Sequence, residues 1–188
     1  RQAIENDVHA LGISTFDTLE AAATKPYGFM PFMPSIGVGG HCIPVDPSYL
    51  SYAAEQAGVE ASFINLANKV NAAMPEYVAQ RIAELLGGSV SRKRIQIAGI
   101  SYKADVSDTR ESPALALISV LKGMGAEVTW HDEIVGEYGG ERSKPLSEVD
   151  LGVIATAHSG VDFGPWKNSG VMVIDVSTAA NTGWSKFL

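Results

Sequence analysis

The chain has 188 residues, 46% of them hydrophobic, enough for one large or two small domains with a packed core. Its 14 basic and 21 acidic residues give a formal net charge of -7, which argues against nucleic acid or an anionic membrane surface as partner. No apolar run approaches the ~18 residues of a bilayer span, and no basic-then-apolar signal segment opens the sequence. The single cysteine leaves no internal disulfide, so a reducing cytoplasm is the expected compartment.

Residues 1–12 read as the end of an amphipathic helix closed by Gly12. It has no cap before it and no initiator Met, the pattern of a piece of a longer protein. Ser14 has the character of an N-cap, and Phe16, Leu19 and Ala23 recur at helical spacing, predicting a helix over 14–24. Prolines 26, 31, 34 and 44 and glycines 28, 37, 39 and 40 then predict a long irregular loop over 25–46. Its interleaved Tyr27, Phe29, Met30, Phe32 and Met33 argue that this loop is ordered, and long loops in compact domains tend to be functional.

A helix is expected from Pro47 to Ala57, with proline in its first turn and Gly58 behind it. Residues 61–86 keep an i, i+3/i+4 apolar register from Phe63 to Leu86, and Gly87-Gly88 closes that helix. Pro75 inside it predicts a kink near residue 74. Such a helix can serve as a spine between domains or as a dimer interface. Further on, apolar runs at 95–100, 127–131, 150–155 and 171–175 read as strands, with a helix over 113–124 between the first two. Strands alternating with helices give an α/β fold with a parallel, doubly wound sheet. The organisation expected is a helical segment at 1–88, carrying the cysteine loop, and a Rossmann-like domain at 93–188.

The lone thiol, Cys42, sits in Gly37-Val38-Gly39-Gly40-His41-Cys42-Ile43-Pro44-Val45-Asp46-Pro47. Most free cysteines are small buried hydrophobes. Flanking glycines, a loop setting and nearby Asp46 favour a nucleophile instead. His41 is not read as its partner, because adjacent side chains of an extended segment point to opposite faces. The segment also imitates the dinucleotide fingerprint G-x-G-x-x-G, but Cys42 replaces the last glycine. No apolar strand precedes it and no helix is predicted immediately after it, so it is not read as a phosphate cradle. No metal site is expected, since His9, His41, His131 and His158 are scattered.

The other constellation is Gly99–Pro113, at the carboxyl end of the first strand, where doubly wound folds bind ligands. Lys103 and Arg110 supply positive charge there, and Ser112 caps the following helix, a combination suited to a phosphate or diphosphate. A solvated loop with internal salt bridges is the plainer alternative. Asp132, at the end of the second strand, reads as a turn residue.

At these segments the chain resembles the UDP-glucose/GDP-mannose dehydrogenase family of nucleotide-sugar 6-dehydrogenases. The resemblance is carried by Gly37–Leu50, by Asn71-Ala72-Ala73-Met74-Pro75 and by Tyr102–Ala114, in order and with matching spacing. Thr24–Phe32 is similar to the branch acting on UDP-N-acetylhexosamines. The resemblance implies oxidation of C6 of a UDP-sugar to a uronate with two NAD+ per turnover, in polysaccharide biosynthesis. Cys42 would carry a thiohemiacetal and then a thioester, and Asp46 would orient or activate water. It further implies that Phe32, Met33, Pro34, Ser35 and Gly39 form the substrate loop, that Tyr102 and Lys103 hold the UDP, and that Arg110 reaches NAD. The N-terminal NAD-binding domain of such enzymes has no counterpart in these residues, so this portion is expected to be inactive alone, and the long helix implies a homodimer. Val45 stands where some relatives have lysine, and Asp175-Val176-Ser177-Thr178 replaces an arginine-containing stretch. UDP-glucose as substrate, a nucleotide-binding or dimerisation module without chemistry, and a cysteine hydrolase are the competing readings.

Overall fold

The computed structural model describes residues 11–30, 32–179, 182–184 and 186–188. The helix end expected over 1–12 lies almost wholly outside them; Leu11 and Gly12 form a turn, with Gly12 at φ +71°. Helix α1 (Thr15–Ala23) starts as expected, with Ser14 Oγ accepting the Asp17 N–H at 3.2 Å. Such a cap contributes about 1 kcal/mol.

Helix α2 (Cys42–Gln56) corrects the expected loop over 25–46. It begins five residues before Pro47, so Cys42 is its first residue and a helix does open directly behind the glycine run. Pro44, which signalled a loop, and Pro47, which signalled the helix start, both fall where the helix tolerates them. Pro44 is the third helical residue, whose N–H would have no intrahelical partner anyway. Pro47 costs only the bond to the Ile43 carbonyl, on an exposed residue. Among the described residues no strand precedes the glycines, so the dinucleotide fingerprint still fails.

Helix α3 (Ser62–Leu85) runs through Pro75 as one element. The sheet that follows has four parallel strands, β1 (Arg94–Ala98), β2 (Glu127–His131), β5 (Leu151–Ile154) and β6 (Val173–Asp175), in the order β2-β1-β5-β6. Helix α4 (Pro113–Gly123) makes the β1–β2 crossover. A hairpin of β3 (Glu137–Tyr138) and β4 (Glu141–Arg142), turning at Gly139-Gly140, and a short α5 (Gly164–Ser169) were not expected.

β1 and β5 are buried on both faces, and their successive side chains turn to opposite sides of the sheet with the period of two that a strand requires. Ile95, Ile97, Leu151 and Val153 share a core with Leu117 and Leu121 of α4 and with Met74, Val78 and Ile82 of α3. Ala98 and Ile154 pack with Trp166 of α5 in a second cluster. The last turns of the long helix are therefore part of the sheet's own core. Gln96 is fully buried, yet its amide donates to the Pro145 carbonyl at 2.9 Å and accepts the Ser147 N–H at 2.9 Å, so its burial is compensated.

Candidate active site

The strand order reverses between β1 and β5, and the loops leaving their carboxyl ends diverge into a crevice, the ligand position of doubly wound sheets. A cavity of about 260 Å³ lies there, lined by Ser35, Gly37, Tyr102, Lys103, Thr156 and Ser177 among others. Ser35, Tyr102 and Lys103, read separately in the sequence, thus meet at one site. Phe32 and Met33 are exposed and Pro34 is buried, and none of the three lines this cavity.

Glycines join the cysteine segment to the crevice. A Cβ on Gly39 would lie 2.7 Å from the Glu111 carbonyl oxygen and 2.8 Å from Tyr102 Cβ, and Gly40, at φ +91°, has the Tyr102 ring 3.0 Å from where its Cβ would be. The Gly40 N–H donates to the Arg110 carbonyl at 3.0 Å. From the other side, Asn71 of α3 accepts the Val38 N–H at 2.8 Å and donates to the Val38 carbonyl at 3.3 Å. The segment that ends in Cys42 is thereby held between α3 and the loop after β1.

Cys42 is exposed, which removes the core-packing alternative for it. Asp46 is one helical turn on, and both line a hollow with Ile43, Pro47, Leu50 and Ile64. His41 precedes the helix without a side-chain capping bond. Among the described residues no group of three or more His, Cys, Asp or Glu could hold a metal ion.

Arg110 is engaged locally. Its Nε donates to both Asp108 carboxylate oxygens at 3.0 Å and its Nη2 to Oδ2 at 2.6 Å. The guanidinium holds the Asp108 carboxyl down at about 2, and the carboxylate in turn raises Arg110. Arg110 lies near enough to Tyr102 and Cys42 for negative charge on either to favour its cation.

Sequence reasoning missed the groups that hold the crevice loops. Asp132 is not a simple turn residue: it is buried, with Oδ2 accepting from Ile100 N–H at 2.8 Å, Ser101 N–H at 3.3 Å and His158 Nε2 at 2.9 Å. Its Oδ1 accepts from Ile134 and Val135 N–H at 3.1 and 2.9 Å. Burial alone would raise this carboxyl, but the His158, Val135 and Ile100 donors outweigh it and keep it below the ordinary carboxylate range. On the far side of the crevice, buried Asp175 accepts from Ser177 N–H and Oγ, both at 2.8 Å, from Thr182 Oγ1 and from Lys186 Nζ at 2.8 Å. The available signal was position: Asp132, His158 and Asp175 all stand at or just beyond the carboxyl ends of strands.

Two family models match the chain, and they divide between them the two halves of this site. The central domain of the UDP-glucose/GDP-mannose dehydrogenase family matches residues 2–73, and the UDP-binding domain of the same family matches residues 96–181. The chain belongs to this family. It is 33% identical over 166 residues to a UDP-N-acetyl-D-mannosamine dehydrogenase of Pyrococcus horikoshii, a match covering 86% of this chain and 38% of that protein. It is 32% identical to a UDP-N-acetyl-D-glucosamine 6-dehydrogenase of Pseudomonas aeruginosa, over 79% of this chain and 37% of the relative. Among solved structures, a UDP-N-acetyl-mannosamine dehydrogenase from Staphylococcus aureus superposes with a TM-score of 0.78 at 25% identity, over 99% of this chain and 44% of that one. The chain thus spans less than half the length of each of these dehydrogenases. Cys42 and Asp46 fall in the match to the family's central domain, and Tyr102, Lys103 and Arg110 in the match to its UDP-binding domain. No helix among the described residues is long and apolar enough to cross a membrane.

Proposed function

We propose that this chain is the thiol-bearing and nucleotide-binding portion of an NAD-dependent UDP-sugar 6-dehydrogenase, one acting on UDP-N-acetylglucosamine or UDP-N-acetylmannosamine. The observation that carries this reading is the seating of Gly39 and Gly40 against Tyr102, which puts the Cys42 end of α2 beside the crevice. In this reading the UDP lies in the crevice, with Tyr102 and Lys103 against it and Ser35 beside it. The sugar extends along the 32–39 segment toward the thiol.

Cys42 Sγ adds to a C6 aldehyde, and the resulting alkoxide takes a proton to give a thiohemiacetal. That carbon gives up a hydride to NAD+ held elsewhere in the dehydrogenase as its hydroxyl loses a proton, leaving a thioester on the same sulfur. Water, oriented by Asp46, cleaves it to the uronate and restores the thiol. A thiol suits both roles because its adducts are reversible and its acyl form hydrolyses.

NAD, the hydride acceptor in this reading, does not fit the described residues as a resident group. The loop after β1 has no glycine fingerprint, and the only carboxylate placed like a ribose partner, Asp132, is buried with its oxygens already taken. Arg110 is the one side chain assigned to it, which makes the dinucleotide's cradle a matter for a further domain. The long α3, with its exposed Phe63 and Leu66, belongs in this reading to a homodimer.

The test is NADH release across a panel of UDP-sugars by the dehydrogenase that carries this chain. Two NADH per UDP-N-acetylhexosamine, abolished in Cys42→Ser, is the expected result. Full turnover by Cys42→Ser, or oxidation of no UDP-hexose, would overturn it.

A further inference from the structure

We propose that His158, acting with Asp132, is a positioning residue for the loop that presents Tyr102 and Lys103 to the nucleotide. This inference rests on the nucleotide site described under Proposed function. Its basis is the route of the hydrogen bonds across the crevice floor, which fixes the imidazole's tautomer. His158 Nδ1 accepts the Asp105 N–H at 2.9 Å, so Nδ1 carries no proton. Nε2 therefore bears the hydrogen and donates it to Asp132 Oδ2 at 2.9 Å. Both side chains are essentially sealed from solvent, at 2% and 0% exposure.

The two groups grip one loop at two points. Asp132 takes the N–H groups of Ile100 and Ser101, and His158 takes that of Asp105. Only Tyr102, Lys103 and Ala104 lie between. Within that span Ser101 Oγ donates to the Lys103 carbonyl at 2.8 Å, and Thr156 Oγ1 donates to the Ser101 carbonyl at 2.8 Å. Asp105 is held at φ +62°, a left-handed conformation that costs most residues energy. Its carboxylate accepts Ser159 N–H and Oγ at 2.7 and 2.8 Å, which fixes it there next to the histidine. An apolar pair in place of His158 and Asp132 would avoid the desolvation of two polar side chains. What the polar pair supplies instead is direction, because each acceptor is aimed at an N–H of the nucleotide loop.

The experiment is calorimetric titration of this chain with UDP, alongside thermal unfolding. His158→Phe keeps a ring but cannot accept from Asp105, and is expected to bind UDP at least about tenfold more weakly. His158→Asn offers an acceptor near the Nδ1 position and is expected to stay within about threefold of the unmodified chain. Leu121→Ala, a cavity in the core remote from the clamp, controls for stability and is expected to keep its UDP affinity. Equal affinity in His158→Phe, or equal losses in His158→Phe and Leu121→Ala, overturns the proposal. No UDP binding by the unmodified chain overturns the nucleotide site itself, and this inference with it. Should His158→Phe fail to fold, ¹⁵N NMR of the unmodified imidazole decides: the Nε2–H tautomer is expected, and the Nδ1–H tautomer overturns the assignment.

Discussion

Gly39 and Tyr102 are in backbone-level contact: a Cβ on Gly39 would lie 2.8 Å from that of Tyr102. That single approach brings together the cysteine segment and the loop after β1, which are far apart in sequence and belong to different family domains. Glycine is required here for space, because the opposing atoms include the Glu111 carbonyl oxygen, which cannot swing aside as a side chain can.

Gly39→Ala therefore forces the two segments apart. Overpacking of this kind costs about 1–3 kcal/mol. Urea denaturation is expected to report a loss in that range, and calorimetry a weaker UDP complex. Unchanged values for both would mean that the segments do not touch as described.

Gly99 is expected to be still less replaceable. It sits at φ +82° directly after β1, donates its N–H to the His131 carbonyl at 2.8 Å, and would put a Cβ 2.0 Å from the Thr156 carbonyl oxygen. Backbone faces backbone at the very point where the strand order reverses, so no rotamer relieves the clash. Gly99→Ala combines left-handed strain with overpacking and should cost about 3 kcal/mol or more in denaturant unfolding.

Much of this architecture was legible before any coordinates. The strand Glu127–His131 and the helices Thr15–Ala23, Ser62–Leu85 and Pro113–Gly123 follow from periodicity and caps, because their apolar faces are continuous and their ends carry Ser14, Gly87-Gly88 and Pro113. The start of α2 was not legible. Pro44 reads as loop punctuation and Pro47 as a helix's first turn, yet Pro44 lies in the first turn and Pro47 a turn further in on an exposed face, where they break almost nothing. His158 was invisible for a different reason. Its partners, Asp132 and the Asp105 amide, are distant in sequence, and only the parallel sheet carries all three to one edge. The thiol and the Tyr102-Lys103 pair could be picked out locally, but the seating of Gly39 and Gly40 against Tyr102 could not.

The Asp108–Arg110 pair gives a pH signature. Arg110 depresses the folded-state carboxyl to about 2, below the ~3.9 of an unfolded aspartate. The pair's contribution is therefore complete above about pH 4 and is lost as pH falls through about 2. NMR titration should find Asp108 at the low end of the carboxylate range, rising in Arg110→Gln but staying below ordinary values, because the backbone N–H of residue 110 still donates to its Oδ1. The stability difference between the two proteins should be small, since both side chains meet solvent, and should vanish below pH 2.

A buried ion pair holds the other wall of the crevice. Asp175 is wholly buried at the end of β6, and Lys186 returns from near the chain's end to place Nζ 2.8 Å from its carboxylate and 2.8 Å from the Ser177 carbonyl. This ammonium neutralises a charge that would otherwise be expensive to bury, and it fixes Ser177, which lines the cavity. Lys186→Met leaves the carboxylate without its cation and is expected to cost about 3–5 kcal/mol in urea unfolding. In an Asp175→Asn background the same substitution should cost much less, because the charge needing compensation has gone. A double-mutant cycle that returned no coupling would show that Lys186 acts on the Ser177 carbonyl alone.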